Sequence, residues 1–239
     1  MTNSPFKNQY NSVARHFDIN KLPKILRTFL PFGPLALADF GCGDGPFFNI
    51  LIKESYIDSS KPVYAVDMQR DRLNSIITRF PSIIPLNSSV DSVAGLISNS
   101  LDFVISTMVI EHVENEEKYL SEIYRVLKPK GKAYITSVYK TKWAWYFRKR
   151  NGATVLDTSH IREYTDINYF TSLFLNGPNS FKILRMEKKQ LFFSIFDPLF
   201  FYLLSGHSNI NNSSLITFFR IFKIPIPGYF SLAVIIQKE

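Results

Sequence analysis

Cysteine is almost absent from this 239-residue chain: Cys42 is the only one, so no disulfide can form within it. That fits a reducing compartment. A secretion signal is missing from residues 1–10, which are polar and have no apolar core. Long hydrophobic runs are scarce too. The longest, residues 191–205, is interrupted by Asp197-Pro198 and falls short of the roughly 20 residues that a spanning helix needs. The expectation is a cytoplasmic protein, with membrane association left open. No internal repeat or low-complexity tract is present. Histidine is limited to His16, His112, His160 and His207, which narrows the candidates for proton transfer near neutral pH.

What the chain does have is apolar and basic. Apolar residues make up 46% of it, including 22 Phe and 12 Tyr, enough for a sizeable core in one domain. Lys and Arg outnumber Asp and Glu by 28 to 20, a formal net charge of +8. That balance favours nucleic acid, an anionic membrane or an acidic substrate without choosing among them, and a solvated basic surface explains it as well.

The hydrophobic pattern alternates between two periods. Residues 10–18, 20–30, 47–54, 70–80 and 116–127 have helical spacing, with Leu73, Ile76, Ile77 and Phe80 on one face of the fourth segment and Leu120, Ile123, Tyr124 and Leu127 on one face of the fifth. Residues 35–40, 63–66, 83–86, 101–106 and 132–139 read as short strands. The unbroken apolar run at 101–106 is typical of a strand buried on both faces. Lys128-Pro129-Lys130-Gly131 is expected to end the fifth helical segment. Strands alternating with helices imply a parallel sheet covered on both sides. Further on, residues 164–176 read as a helix with Thr165 as its N-cap, 181–185 as a strand, 191–222 as mainly helical and 229–237 as a last strand.

Asp39-Phe40-Gly41-Cys42-Gly43-Asp44-Gly45 lies between the first strand and the next helix. Glycines there permit a tight turn and a close approach of ligand to backbone, and the helix beyond offers free N–H groups. A glycine loop alone is weak evidence, because nicotinamide and flavin sites use a similar device. The spacing here is G-x-G-x-G preceded by Asp, not G-x-G-x-x-G. Asp67 ends the second strand, roughly 20 residues further on, where a carboxylate can accept hydrogen bonds from both hydroxyls of a ribose.

With these features, Ser106-Thr107-Met108-Val109-Ile110-Glu111-His112-Val113, Val126-Leu127-Lys128-Pro129-Lys130-Gly131-Lys132 and Asp157-Thr158-Ser159-His160-Ile161-Arg162-Glu163-Tyr164-Thr165 resemble the class I S-adenosylmethionine-dependent methyltransferases of small-molecule type. The resemblance covers about residues 10–169, some two thirds of the chain. It implies an α/β three-layer sandwich with a seven-stranded, mostly parallel, Rossmann-like sheet whose last strand is antiparallel. It implies one domain: a helical lid at 1–30, a cofactor-binding core at 31–139, and an acceptor-side region at 140–239 with a helical insert at about 191–222. It also implies S-adenosylmethionine as cofactor and S-adenosylhomocysteine as product. Gly41, Cys42, Gly43 and Gly45 form the loop at the methionine end, braced by Asp39. Asp67 holds the ribose, Met68 packs on the adenine, and Ser106 and Thr107 flank the methionine portion. Asp91 is the candidate adenine-contacting acid, although Ser89-Val90-Asp91-Ser92 departs from the Gly-Asp-Ala common in the family.

Methyl transfer to a hydroxyl calls for alignment and a base. His112, just past the fourth strand, and His160, bordering the implied acceptor pocket, are the candidate catalytic residues, each with a structural alternative. For Arg162 and Glu163 that alternative is a surface pair of little energetic weight. Met108 replaces the first glutamate of the Glu-x-x-Glu-His pattern of metal-binding family members, so no metal is expected. No Asn-Pro-Pro-Tyr-like segment follows the fourth strand, which argues against methylation of a base's exocyclic amine. The reading is therefore a small-molecule acceptor, methylated on oxygen, bulky and partly apolar or lipid-linked or saccharide. A cofactor-binding partner subunit without turnover and an RNA methyltransferase are the alternatives. Trp143, Trp145, Tyr146 and Phe147 stand among Lys140, Lys142, Arg148, Lys149 and Arg150. This suits peripheral contact with an anionic membrane, nucleic acid less readily, or plain core aromatics under solvated charges.

Overall fold

The computed structural model describes residues 21–176, 179–194 and 223–239. The elements, in chain order, are α1 (Lys24–Phe29), β1 (Leu37–Phe40), α2 (Phe48–Lys53), β2 (Val63–Asp67), α3 (Arg70–Arg79), β3 (Ile84–Asn87), β4 (Leu101–Thr107), α4 (Glu116–Val126) and β5 (Leu127–Lys140). They continue with β6 (Lys149–Arg150), β7 (Ala153–Thr154), α5 (Ile167–Leu175), β8 (Phe181–Ser194) and β9 (Lys223–Lys238). β6 and β7 form a separate hairpin, and the other seven strands make one sheet in the order β3-β2-β1-β4-β5-β9-β8. β1 to β5 pair in parallel. β9 runs against both of its neighbours, β5 and β8, so it alone is reversed. This is the expected three-layer α/β architecture.

Both faces of the sheet are buried, as parallel sheets require. Side chains alternate along each strand: Ala38, Phe40 and Val104 enter one core, Leu37, Phe103 and Ile105 the other. Chain direction reverses its order at β1, which pairs with β2 on one side and β4 on the other. The crevice beyond the carboxyl ends of β1 and β4 is where such sheets place ligands.

The helices follow from capping and an apolar stripe. Asn115 caps α4 by accepting the Lys118 N–H at 2.9 Å, and Glu116 and Glu117 favour the positive end of the helix dipole. Leu120, Ile123 and Leu127 are buried as expected, whereas the largest inward residue is Tyr119, fully buried, and Tyr124 is only partly covered. In α3, Leu73, Ile76 and Phe80 are buried, and Ile77 is 38% exposed. Asp166, not Thr165, caps α5, accepting the Asn168 N–H at 2.8 Å.

Three strand boundaries differ from the sequence pattern. β5 starts at Leu127, which pairs with Leu101 before the register shifts and resumes at Phe103 and Lys132. The Lys-Pro-Lys-Gly stretch therefore sits within the strand, at an irregularity. β8 and β9 form a long two-stranded arm, 14 and 16 residues. Leu191 to Ser194, expected to open a helical insert, instead end β8 opposite residues 223–225. Register shifts between Ile183 and Arg185 and between Gln190 and Phe192 break the period-two signal, which hid this strand. The rest of the expected insert, residues 195–222 with His207, lies outside the described residues. So do residues 1–20, which include His16 and most of the expected lid.

The basic aromatic segment divides. Tyr146 is buried against Phe147, Phe193 and Tyr229, whereas Trp143 and Trp145 are 67% and 58% exposed. Among the described residues no helix is long and apolar enough to cross a membrane.

Phe170 is fully buried between Tyr164 and Phe174, with ring centroids at 4.7 and 5.1 Å. Phe170→Ala is expected to destabilise the domain by roughly 3–5 kcal/mol through lost burial and a residual cavity, read from urea unfolding. A loss below about 1 kcal/mol would show that α5 does not anchor this face.

Candidate active site

The loop after β1 needs its glycines for conformation and for space. Gly41, Gly43 and Gly45 have φ of 68°, 53° and 69°, the left-handed region that other residues avoid. A Cβ on Gly41 would come within 2.5 Å of the Val109 side chain, and one on Gly45 within 2.6 Å of the Phe48 ring. The Gly41 and Cys42 N–H groups both donate to the Val66 carbonyl, at 2.8 and 3.0 Å, so the loop is tied to the end of β2.

Asp67 supports that geometry from the other side. Its Oδ2 accepts the Gly43 N–H at 2.9 Å, and its Oδ1 accepts the Gln69 N–H at 2.8 Å. Each carboxylate oxygen keeps a lone pair for one hydroxyl of a ribose. Met68 is 66% exposed beside it. The carbonyls of Asp67 and Met68 accept from the Asn87 side chain at 3.0 and 2.9 Å, which joins the ends of β2 and β3.

Asp39 is 2% exposed. Among the described residues nothing hydrogen-bonds its Oδ1. Burial, then the nearby Asp67 charge, pushes its carboxyl well above the usual range. An orphaned carboxyl beside a glycine cradle fits an incoming ammonium group, such as the α-amino group of S-adenosylmethionine. The Cys42 thiol is buried and pushed upward, first by burial, so it is no nucleophile.

The remaining cofactor candidates separate. The Ser106 hydroxyl is buried and donates to the Phe40 carbonyl at 2.9 Å, a bond that fixes β4 against β1. Thr107 ends β4 and is partly exposed. Met108 has φ of 57°, a conformation costing about 1–3 kcal/mol outside glycine. Its N–H is held at 3.1 Å by both the carbonyl and the hydroxyl of Thr136. Asp91 is not grouped with the glycine loop. It lines a cleft of about 620 Å³ together with Glu117, Lys118 and Glu122 of α4, because Glu122 draws the Val93 N–H onto α4 at 2.8 Å.

On the acceptor side the structure brings His112 and His160 together, their rings edge-on with centroids 4.8 Å apart. His112 Nδ1 lies 3.2 Å from the Ser159 carbonyl. Burial, then His160, lowers its pKa to about 4, so it is neutral at pH 7. Glu111 is fully buried. Its Oε2 accepts from the Ser137 hydroxyl at 2.9 Å, and its Oε1 is orphaned. Burial raises its pKa to about 7. One donor atom from each of Glu111, His112 and His160 lies within 4.8 Å of the others. These three are the residues that could hold an ion here, even with Met108 in place of the first glutamate of the metal-binding pattern.

Two residues of this cluster were not legible as functional. Glu163 is no surface residue: its side chain is 2% exposed. It accepts from His160 Nδ1 at 2.8 Å, the Leu156 N–H at 2.6 Å, Lys140 at 3.0 Å and the Tyr229 hydroxyl at 3.2 Å. Burial alone would raise this carboxyl, but the bonds from His160, Leu156 and Lys140 hold it below the usual range. Arg162 donates to the carbonyls of Ile110, Val113 and Glu114 at 3.1, 2.5 and 3.0 Å. It thereby clamps the segment after β4 to the segment that carries His160. The His160 to Glu163 spacing of three residues was the available signal; burial was not readable.

This fold and loop define a class I S-adenosylmethionine-dependent methyltransferase architecture of small-molecule type. A family model described as "Methyltransferase domain" matches residues 38–135. Among curated proteins it is 27% identical over 128 residues to the ubiquinone biosynthesis O-methyltransferase of Rickettsia bellii, covering 52% of this chain and 50% of that one. The chain thus spans about half the length of the curated relatives it matches. A S-adenosylmethionine-dependent methyltransferase from Methanosarcina mazei shares the fold at TM-score 0.60 and 15% identity, over 91% of this chain and 98% of that one. The cyclase SpnF does so at TM-score 0.57 and 16% identity, over 86% and 75%.

Asp67→Ala is expected to weaken S-adenosylhomocysteine binding by about 100-fold, the worth of two hydrogen bonds to a charged group. Isothermal titration decides this; unchanged affinity would remove Asp67 from the site. Glu111 makes a second prediction. Its folded-state pKa of about 7 exceeds the unfolded value of 4.5, so the native state holds this proton over a wider pH range. Stability then falls as pH rises from about 4.5 through 7, by up to ~3 kcal/mol. Glu111→Gln is expected to gain stability relative to wild type between pH 5 and pH 8. The opposite contribution of His112, present in both proteins, cancels in the comparison. Parallel pH profiles of unfolding free energy would contradict this.

Proposed function

We propose that the chain transfers a methyl group from S-adenosylmethionine to an oxygen of a small, bulky and partly apolar molecule. The observation that carries this reading is the buried His160–Glu163 pair. The Glu163 carboxylate remains ionised and occupies Nδ1 of His160. That nitrogen therefore carries the proton, and Nε2 is left basic. Bound at the glycine loop, the cofactor supplies an electrophilic methyl group on a cationic sulfur. Methyl transfer there would break the methyl–sulfur bond and release S-adenosylhomocysteine, and the role of His160 would be to take the proton that the acceptor hydroxyl gives up. Glu163, held by Lys140 and Tyr229, stabilises the resulting imidazolium, the role an orienting carboxylate plays in hydrolytic triads. Relatives named for O-methylation in ubiquinone biosynthesis, alike over half of this chain, support an oxygen acceptor.

A second reading is cofactor binding without methyl transfer. It is favoured by the cyclase SpnF, which carries the same fold under a different reaction name. Release of S-adenosylhomocysteine with hydroxylated acceptors, catechols first, separates the two. His160→Gln and Glu163→Gln are each expected to lower kcat by 10²–10⁴-fold with cofactor affinity unchanged. Glu163→Gln should also move the acidic limb of the kcat profile. Full activity in His160→Gln would sink the base assignment, and cofactor binding with no methylated product would favour the second reading.

A further inference from the structure

Beside His160 lies a cavity of about 320 Å³ whose lining includes Lys140, Arg150, Asn151, Arg162 and Glu163. Its charges are unevenly matched. Glu163 is neutralised by Lys140 at 3.0 Å. The Arg162 guanidinium is spent on three backbone carbonyls and lies 3.7 Å from Glu116. Asp157, the next carboxylate along the segment, pairs with Arg148 at 3.5 Å. Arg150 donates to the His160 carbonyl, and among the described residues no carboxylate pairs with it. One guanidinium is therefore partly withdrawn from water with most of its donors unspent, an arrangement that is unfavourable until an anion arrives.

Arg150 is also held in place. It pairs with Ala153 across the β6–β7 hairpin, and the turn residues Asn151 and Gly152 have φ of 50° and 79°, the doubly left-handed turn that closes two-residue hairpins. The planar fork of an arginine fixed in this way suits a carboxylate or a phosphate.

We propose that this cavity is a subsite for an anionic group, a carboxylate or a phosphate, carried by the methyl acceptor and held by Arg150, with Lys140 and Asn151 at its side. The inference rests on the acceptor-site reading of His160. The cavity is near the small end of ligand sites, and His160 lines it. The anion and the reacting hydroxyl therefore belong to one compact scaffold, with the acceptor's apolar part directed elsewhere.

The test uses the full chain, free and loaded with S-adenosylhomocysteine, titrated calorimetrically with inorganic phosphate and with benzoate at matched ionic strength. At least one of the two anions should bind saturably at a single site. Arg150→Gln should weaken that binding at least tenfold, Arg150→Lys should fall between, and Lys142→Gln, an exposed control, should leave it unchanged. Preference for phosphate or for benzoate names the anion. Absence of saturable binding in both forms of the wild type, or binding unaffected by Arg150→Gln, overturns the subsite. Failure of S-adenosylhomocysteine itself to bind counts against the methyltransferase reading instead, and the free chain still answers the anion question.

Discussion

The turns that follow β1 and β4 have to meet without a Cβ between them. Val109 occupies the space that any side chain on Gly41 would need, at 2.5 Å from where its Cβ would stand. That contact places the cofactor loop directly against the segment leading to Glu111 and His112. The surrounding bonds serve to keep the two turns there. Ser106 ties β4 to the Phe40 carbonyl, Thr136 holds Met108 in its left-handed conformation, and Val66 receives two N–H groups of the loop. The cost of a left-handed methionine, about 1–3 kcal/mol, is met by hydrogen bonds that sit inside the sheet and not on its surface. The segment carrying Glu111 and His112 is thereby held against the glycine loop before any ligand contributes.

The acceptor side is organised by charge more than by packing. Two glutamates, two histidines, an arginine and a lysine lie in or near the protein interior, held by one another and by backbone carbonyls. Glu163 remains ionised because three hydrogen-bonding donors outweigh its burial. Glu111, with one side-chain donor and one orphaned oxygen, does not, and takes up a proton near neutrality. Two carboxyls of similar burial thus end in opposite states, the usual sign that one stabilises charge and the other exchanges protons. Removing Arg162 would loosen the connection between them, since its side chain spans from the His160 segment to three carbonyls after β4.

The part of the molecule legible in the sequence is the part set by local rules. Runs such as Leu101 to Thr107 announce buried strands, the Asp39 to Gly45 spacing announces a particular turn, and Asp67 follows from strand length. The unread parts depend on distant partners. β8 looked like a short strand followed by a helix because its alternation is broken twice by register shifts against β9, which no local window detects. Glu163 looked like a surface charge because its four partners come from residues 140, 156, 160 and 229. Asp91 already stood in a stretch that departs from the family pattern, and Glu122 draws the Val93 N–H just beyond it onto α4, a partner that no local window detects.

That division has a chemical consequence. The features shared with a cyclase of the same fold are those of the sheet, and they say where a ligand goes, not what happens to it. On the proposed reading, reaction and acceptor are decided after β5, by the Lys149 to Thr154 hairpin, the His160 segment and the β8–β9 arm. Tyr229 links them: it rises from β9, its hydroxyl lies within hydrogen-bonding distance of both the Thr154 carbonyl and Glu163, and so it joins the arm, the hairpin and the partner of His160. A change in the arm would therefore alter the orientation of His160 as well as the shape of the pocket. On the proposed reading, acceptor choice and proton transfer are physically one problem, and a substitution that re-shapes the first without disturbing the second has to preserve the Tyr229 hydroxyl.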